Sequence, residues 1–173
     1  TPKYQALREL IKKYVKYDVP SVPERLPVIS VPGIKLTNTV GLFDMLESVE
    51  PVESDTLLTF EDMNQGYGYM LYRRHFNQPI SGMMRVPGIA DFATVYVNGE
   101  KVGELNRMTG KDSMQIKVPI NATLDILVEN MGRINFGTRI NANRKGIIQP
   151  ITINGHKITG DWQTYGVPMD VMP

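Results

Sequence analysis

From residue 56 onward apolar and polar residues alternate in short runs, the period of two that half-buried strands require. In LDILVEN (124–130), Leu124, Ile126 and Val128 share one face, Asp125 and Glu129 take the other, and the pattern stops at Asn130. YGYMLYRRHF (67–76), rich in aromatic residues, and SMQIKVPI (113–120) read as further strands. DFATVYVNGEKVGEL (91–105) and PITINGHKIT (150–159) each break at an Asn-Gly pair, Asn98-Gly99 and Asn154-Gly155. Both residues of such a pair tolerate the positive φ of a type I′ turn, so each segment predicts a hairpin. Short strands at this spacing, with hardly any helical period after residue 20, predict a mainly β fold over residues 56–173. The expected form is an antiparallel jelly-roll sandwich.

The first third follows other rules. Tyr4, Leu7, Ile11 and Tyr14, joined by Leu10 and Val15, recur at helical spacing opposite Arg8, Glu9, Lys12, Lys13 and Lys16. They predict an amphipathic helix within residues 1–17. Pro20, Pro23, Pro27 and Pro32 prevent the next segment from folding back as a second helix, so an extended strap is expected and the apolar stripe lacks a local partner. Seven acidic residues between Asp44 and Asp62, with no Lys or Arg, read as a solvated face, because their spacing is not that of a calcium loop. The span 18–55 is thus expected to be a linker. The chain opens on Thr1 with no basic-then-apolar leader, which leads us to expect a processed protein or a piece of a larger one.

Composition narrows the chemistry. A length of 173 residues suits one well-buried core. No apolar run approaches the roughly 20 residues of a membrane helix, so no membrane partner is expected. A net charge of +1 lacks the basic footprint of a nucleic-acid binder. The absence of cysteine removes disulfides, thiolate catalysis and cysteine-based zinc sites. His75 and His156 stand far apart without ligand spacing, so neither a metal nor any other cofactor is expected. There is no G-x-S-x-G, and GYGYML (66–71) has neither the dinucleotide nor the Walker spacing. Asn121-Ala122-Thr123 is a glycosylation sequon, a pattern that three residues often make by chance.

Glycoside hydrolysis needs two carboxyl groups about 5 to 9.5 Å apart across a pocket. Glu61 and Asp62 are neighbours that a strand would turn to opposite faces. Glu129 ends a core strand without a partner and reads as a carboxylate accepting backbone N–H groups at a turn. Trp162 and Tyr165, in GDWQTYGVP, offer an aromatic platform for a sugar ring or, the reading we prefer, pin a terminal strand into the core. The loop after Asn130 carries Arg133, Asn135 and Phe136, side chains that suit a sugar site and equally suit a turn in a sandwich.

Seven segments occurring in order carry a family resemblance: KYQALRELIKKY, the proline strap, FEDMNQGYGYMLYR (60–73), IADFATVYVNGEKVGELNR (89–107), LDILVENMGRINFG (124–137), KGIIQPITING (145–155) and GDWQTYGVP (160–168). Together they resemble the region that follows the catalytic barrel in β-galactosidases of glycoside hydrolase family 35. The resemblance implies a galactose-binding-domain-like jelly roll, preceded by the last helix of a (β/α)₈ barrel. The barrel carries both glutamates of a retaining hydrolysis of terminal β-galactosides, so this chain is expected to hold no catalytic residue of its own. The implied partners are that barrel and galactoside sugars, and the implied location is outside the cytoplasm, whether periplasmic, extracellular or lysosomal. Family members usually carry tyrosine where this chain has Phe136, a ring suited to wall the leaving-group sugar. Phe136 keeps the stacking face and loses the phenol's hydrogen bond. Phe136, Asn135 and Arg133 are therefore the candidate carbohydrate-binding residues, at the lip of the parent's active site, with Arg133 expected to brace the loop through backbone carbonyls. The alternative is an autonomous carbohydrate-binding module.

Overall fold

The computed structural model describes residues 2–170, and the chain divides between Thr39 and Val40 into two units. In the first, α1 (Pro2–Lys12) ends four residues before the amphipathic pattern does. Arg8 explains part of the early stop, since its guanidinium donates to the carbonyls of Pro20 (2.8 Å) and Val19 (3.1 Å) and holds the returning chain beside the helix. Pro20 also disfavours helical backbone at Val19. Tyr4, Leu7, Leu10, Ile11 and Tyr14 are exposed. The proline strap carries no helix or strand.

The second unit is an antiparallel β-sandwich. Its strands are β1 (Val52–Ser54), β2 (Tyr69–Phe76), β3 (Ile80–Arg85), β4 (Ile89–Ala90), β5 (Phe92–Val97), β6 (Glu100–Asn106), β7 (Ser113–Val118), β8 (Ala122–Glu129), β9 (Gly146–Ile147), β10 (Thr152–Ile153), β11 (His156–Lys157) and β12 (Trp162–Val167). One sheet has the order β1-β12-β2-β8-β5-β6, the other β11-β10-β3-β7, and β4 pairs with β9. Alternation decides which residues meet between the sheets. Met70 and Tyr72 of β2, Val95 of β5, Leu124, Ile126 and Val128 of β8 and Trp162 of β12 face Met84, Ile116, Val118 and Ile153 in one buried cluster. Trp162 is 0% exposed, so it anchors the last strand and is no sugar platform. Both Asn-Gly pairs turn hairpins as expected, with φ of 50° and 79° at Asn98-Gly99 and 50° and 82° at Asn154-Gly155.

The seven acidic residues from Asp44 to Asp62 are exposed, as a solvated face requires, but the stretch is more than a linker. It contains α2 (Leu42–Leu46) and β1, and β1 joins the edge of the larger sheet against β12. Leu46, with Leu42, Phe43 and Met45, covers Leu71, Tyr165 and Val167 on the sheet's outer face. Two elements of five and three residues are too short for periodicity to reveal. Beneath α2, Asp125 is buried and accepts from Arg73 Nε (2.7 Å) and Nη2 (3.2 Å). The Arg73 guanidinium lies 5.8 Å from the Phe43 ring centre and 5.5 Å from that of Tyr165. The polar face of the 124–130 strand is thus an ion pair under an aromatic cover.

Candidate functional site

The strand register places two different ends on this sandwich. At one, Val97 pairs with Leu124 and the chain reverses through Asn98-Gly99 and Asn121. At the other, Phe92 and Tyr69 both flank Glu129, where β8 ends and the long loop 130–145 begins. That loop returns to the sheet at Gly146, whose φ of 102° and closeness to the Tyr72 hydroxyl leave no room for a side chain. Tyr72 accepts from the amide of Ile147 (3.2 Å) and donates to the carbonyl of Leu58 (2.7 Å), and burial raises its pKa. The loop's return is therefore seated on a buried, fully engaged phenol.

Polar side chains tie the loop's two limbs together. Asp91, between β4 and β5, accepts from the amide of Met131 (3.1 Å), from Arg107 Nη1 (2.9 Å) and from the buried Lys145 Nζ. Glu61 accepts from Arg133 Nη1 (2.5 Å) and from the amide of Lys145 (3.1 Å). Each carboxylate thus holds the outgoing limb at 131–133 and the returning limb at Lys145. Asp62 accepts from the amide (2.9 Å) and hydroxyl (2.8 Å) of Thr59 and from Arg144 Nη2 (2.5 Å). Arg133 Nε donates to the Gly66 carbonyl (3.1 Å) and its Nη1 also to that of Asn143 (3.2 Å), while Asn143 Oδ1 accepts from the amide of Ile134 (3.0 Å).

These contacts set the electrostatics. Burial pushes the Asp91 carboxyl up, but Lys145, Arg107 and the Met131 amide outweigh it and hold the group below its ordinary value. Burial likewise raises Glu61, and Arg133 with the Lys145 amide overcomes it. Asp62 is lowered by the Thr59 amide and hydroxyl, with Arg144 adding to them. All three carboxylates are held ionised by fixed donors.

Among the sequence candidates, Phe136 stands at the loop's tip with 90% of its surface exposed, and Asn135 beside it is exposed. Arg133 lies in the stem with its guanidinium bound to protein acceptors, two of them backbone carbonyls. A groove of about 410 Å³ runs between the stem and the turn after β6, lined by Asp91, Lys145, Arg107, Met108, Met131 and Ile134. Glu129 departs from expectation: among the described residues its carboxylate accepts no hydrogen bond, and Asp91 performs the task assigned to it. Glu61 and Asp62 depart too, for they occupy a turn, not a strand, and both meet the returning limb at Arg144. His75 and His156 are exposed on separate strands, and among the described residues no three His, Cys, Asp or Glu side chains converge as metal ligands. Among the same residues no helix is long and apolar enough to cross a membrane. Sequence reading missed Asp91, whose one signal was a single charge inside the apolar segment GIADF, and Lys145, which follows Arg144 at the head of GII.

An antiparallel sandwich of two main sheets, with a clamped loop at one end, defines an all-β domain. A family model described as "Beta-galactosidase, first all-beta domain" matches residues 58–168. Proteins named β-galactosidase from Xanthomonas manihotis, Bos taurus and Homo sapiens are 34%, 34% and 36% identical to this chain, each over 98% of it. The chain belongs to the family of first all-β domains of β-galactosidases. It spans only about a quarter of the length of these relatives: 28%, 27% and 25%.

Proposed function

We propose that this chain is the non-catalytic jelly-roll domain of a retaining β-galactosidase of glycoside hydrolase family 35, packed on the catalytic barrel and framing the mouth of its active site. In that reading two glutamates of the barrel hydrolyse terminal β-galactosides, one as nucleophile and one as acid/base. The domain supplies an apolar wall for the leaving-group sugar. The observation that carries the reading is the exposure of Phe136 at the tip of a loop whose stem is tied down. An exposed aromatic ring costs little conformational entropy to fix and offers a flat face to a sugar's C–H surface. Asn135 is the adjacent polar group, and Arg133 contributes by bracing. The exposed stripe of α1 fits the same barrel as partner.

The competing reading is a module that binds galactosides without a barrel, and it too would use Phe136 and Asn135. An NMR titration of the isolated chain with galactose and lactose separates them. A wall that works only against a barrel predicts no specific shifts at millimolar sugar. Saturable shifts at Asn135 and Phe136 would favour the module and contradict the proposal.

A further inference from the structure

Asp91 and Glu61 stand outside the loop they hold, and neither is consumed by the β-sheet. Asp91 joins the Met131 amide on the outgoing limb to the Lys145 ammonium on the returning limb, with Arg107 on its other oxygen. Glu61 joins the Arg133 guanidinium to the Lys145 amide. The two carboxylates thus bridge the same two limbs from different directions, Asp91 from the buried side and Glu61 from a half-exposed turn. Between the bridges and Phe136 there is no strand, only loop backbone and a single turn of 3₁₀ helix at Ile140–Ala142. A tip so weakly built owes its position to its stem, because a loop without ladder hydrogen bonds or buried apolar side chains has little else to order it.

From this geometry we infer that Asp91 and Glu61 are positioning residues that fix where Phe136 stands, and so set how tightly the enzyme holds the leaving-group sugar. The inference rests on the reading of Phe136 as a wall of the active-site mouth. Neither carboxylate touches sugar. Each acts through the loop, so its loss changes recognition of the group beyond the scissile bond while leaving galactose recognition and bond cleavage intact.

The test uses Asp91→Asn, Glu61→Gln and Phe136→Ala, with two readouts. In the 173-residue chain, ¹⁵N relaxation reports order along residues 131–143, with β2 and β8 as internal controls of folding. In the galactosidase carrying the domain, KM and kcat are compared for a disaccharide and for a nitrophenyl galactoside. Glu61→Gln guards against misfolding, because Glu61 is half-exposed and its replacement leaves the Asp91–Lys145 pair in place. Both carboxylate variants are expected to lower order parameters across 131–143 alone. Both are also expected to raise KM for the disaccharide by about threefold to tenfold, with kcat and the nitrophenyl substrate little changed. Unchanged order in both variants would overturn the inference whatever the kinetics. Lost order with unchanged disaccharide KM would overturn it as well, and Phe136→Ala then shows why. A normal KM in that variant means that the wall reading has failed, whereas a raised one means that the wall stands without needing these carboxylates.

Discussion

The two ends of this sandwich spend their polar residues differently. At the turn end, neutral hydrogen bonds tie one short connection to the next, 25 residues along the chain, with Asn98 Oδ1 accepting from the amide of Thr123 (2.9 Å) and the Asn98 amide donating to the Thr123 carbonyl (2.9 Å). At the loop end, charged groups far apart in sequence cross-link one long connection, 54 residues separating Asp91 from Lys145 and 72 separating Glu61 from Arg133. Apolar side chains are turned outward beside them at Met108, Met131 and Phe136. A domain needing only to end its strands would use the first device at both ends. Strong internal cross-links beside outward apolar side chains suit the proposed role, in which this surface keeps its shape for a partner.

The sharpest way to break the comparison is to uncouple the clamp's buried pair. Lys145→Met removes the ammonium and leaves the Asp91 carboxylate buried, so stability should fall by about 3 kcal/mol in urea unfolding. Hydrogen exchange should then rise first around residues 131–145 while the Asn98 hairpin stays protected. Equal loss of protection at both ends would erase the distinction drawn here.

Acid should also act on one end selectively. Asp91, Glu61 and Asp62 have folded-state pKa values lowered below their ordinary ones, so the stability they contribute is fully present above the ordinary carboxylate range near pH 4. It is lost as pH falls through their depressed values. Unfolding midpoints and exchange rates followed from pH 7 to pH 3 should show the loop end loosening before the Asn98 turn, whose hydrogen bonds carry no titrating group.

A smaller effect is expected at the turn end itself. Asn98→Ala places alanine at a φ of 50° and deletes the acceptor for the Thr123 amide, costing about 1 kcal/mol by thermal or urea melting. The loop tip should be indifferent to this change. Least of all should Phe136→Ala alter stability: a ring 90% exposed contributes within about 0.5 kcal/mol, and a larger loss would mean that the ring packs on its own domain.

What could be read along the chain follows the same division. The Asn-Gly pairs, the alternation of Leu124, Ile126 and Val128, and the lone tryptophan each carry their signal within a few residues, and all were visible there. Phe136 was visible as a candidate because loop residues between strands face solvent. The clamp was not, since nothing within a few residues of Asp91 or Lys145 tells that the fold will bury them against each other. Glu61 and Asp62 were weighed as a strand pair, and the turn they occupy brings both to one loop. Leu46 and β1 lay hidden because an acidic composition masks short elements that only the finished sheet can stabilise.

The most direct test of the account is kinetic, in the β-galactosidase that carries this domain. Phe136→Ala should raise KM for a galactosyl disaccharide by about threefold to tenfold, while kcat/KM for a nitrophenyl galactoside changes by less than about twofold. Equal kinetics with both substrates would contradict the placement of this ring at the mouth of the active site.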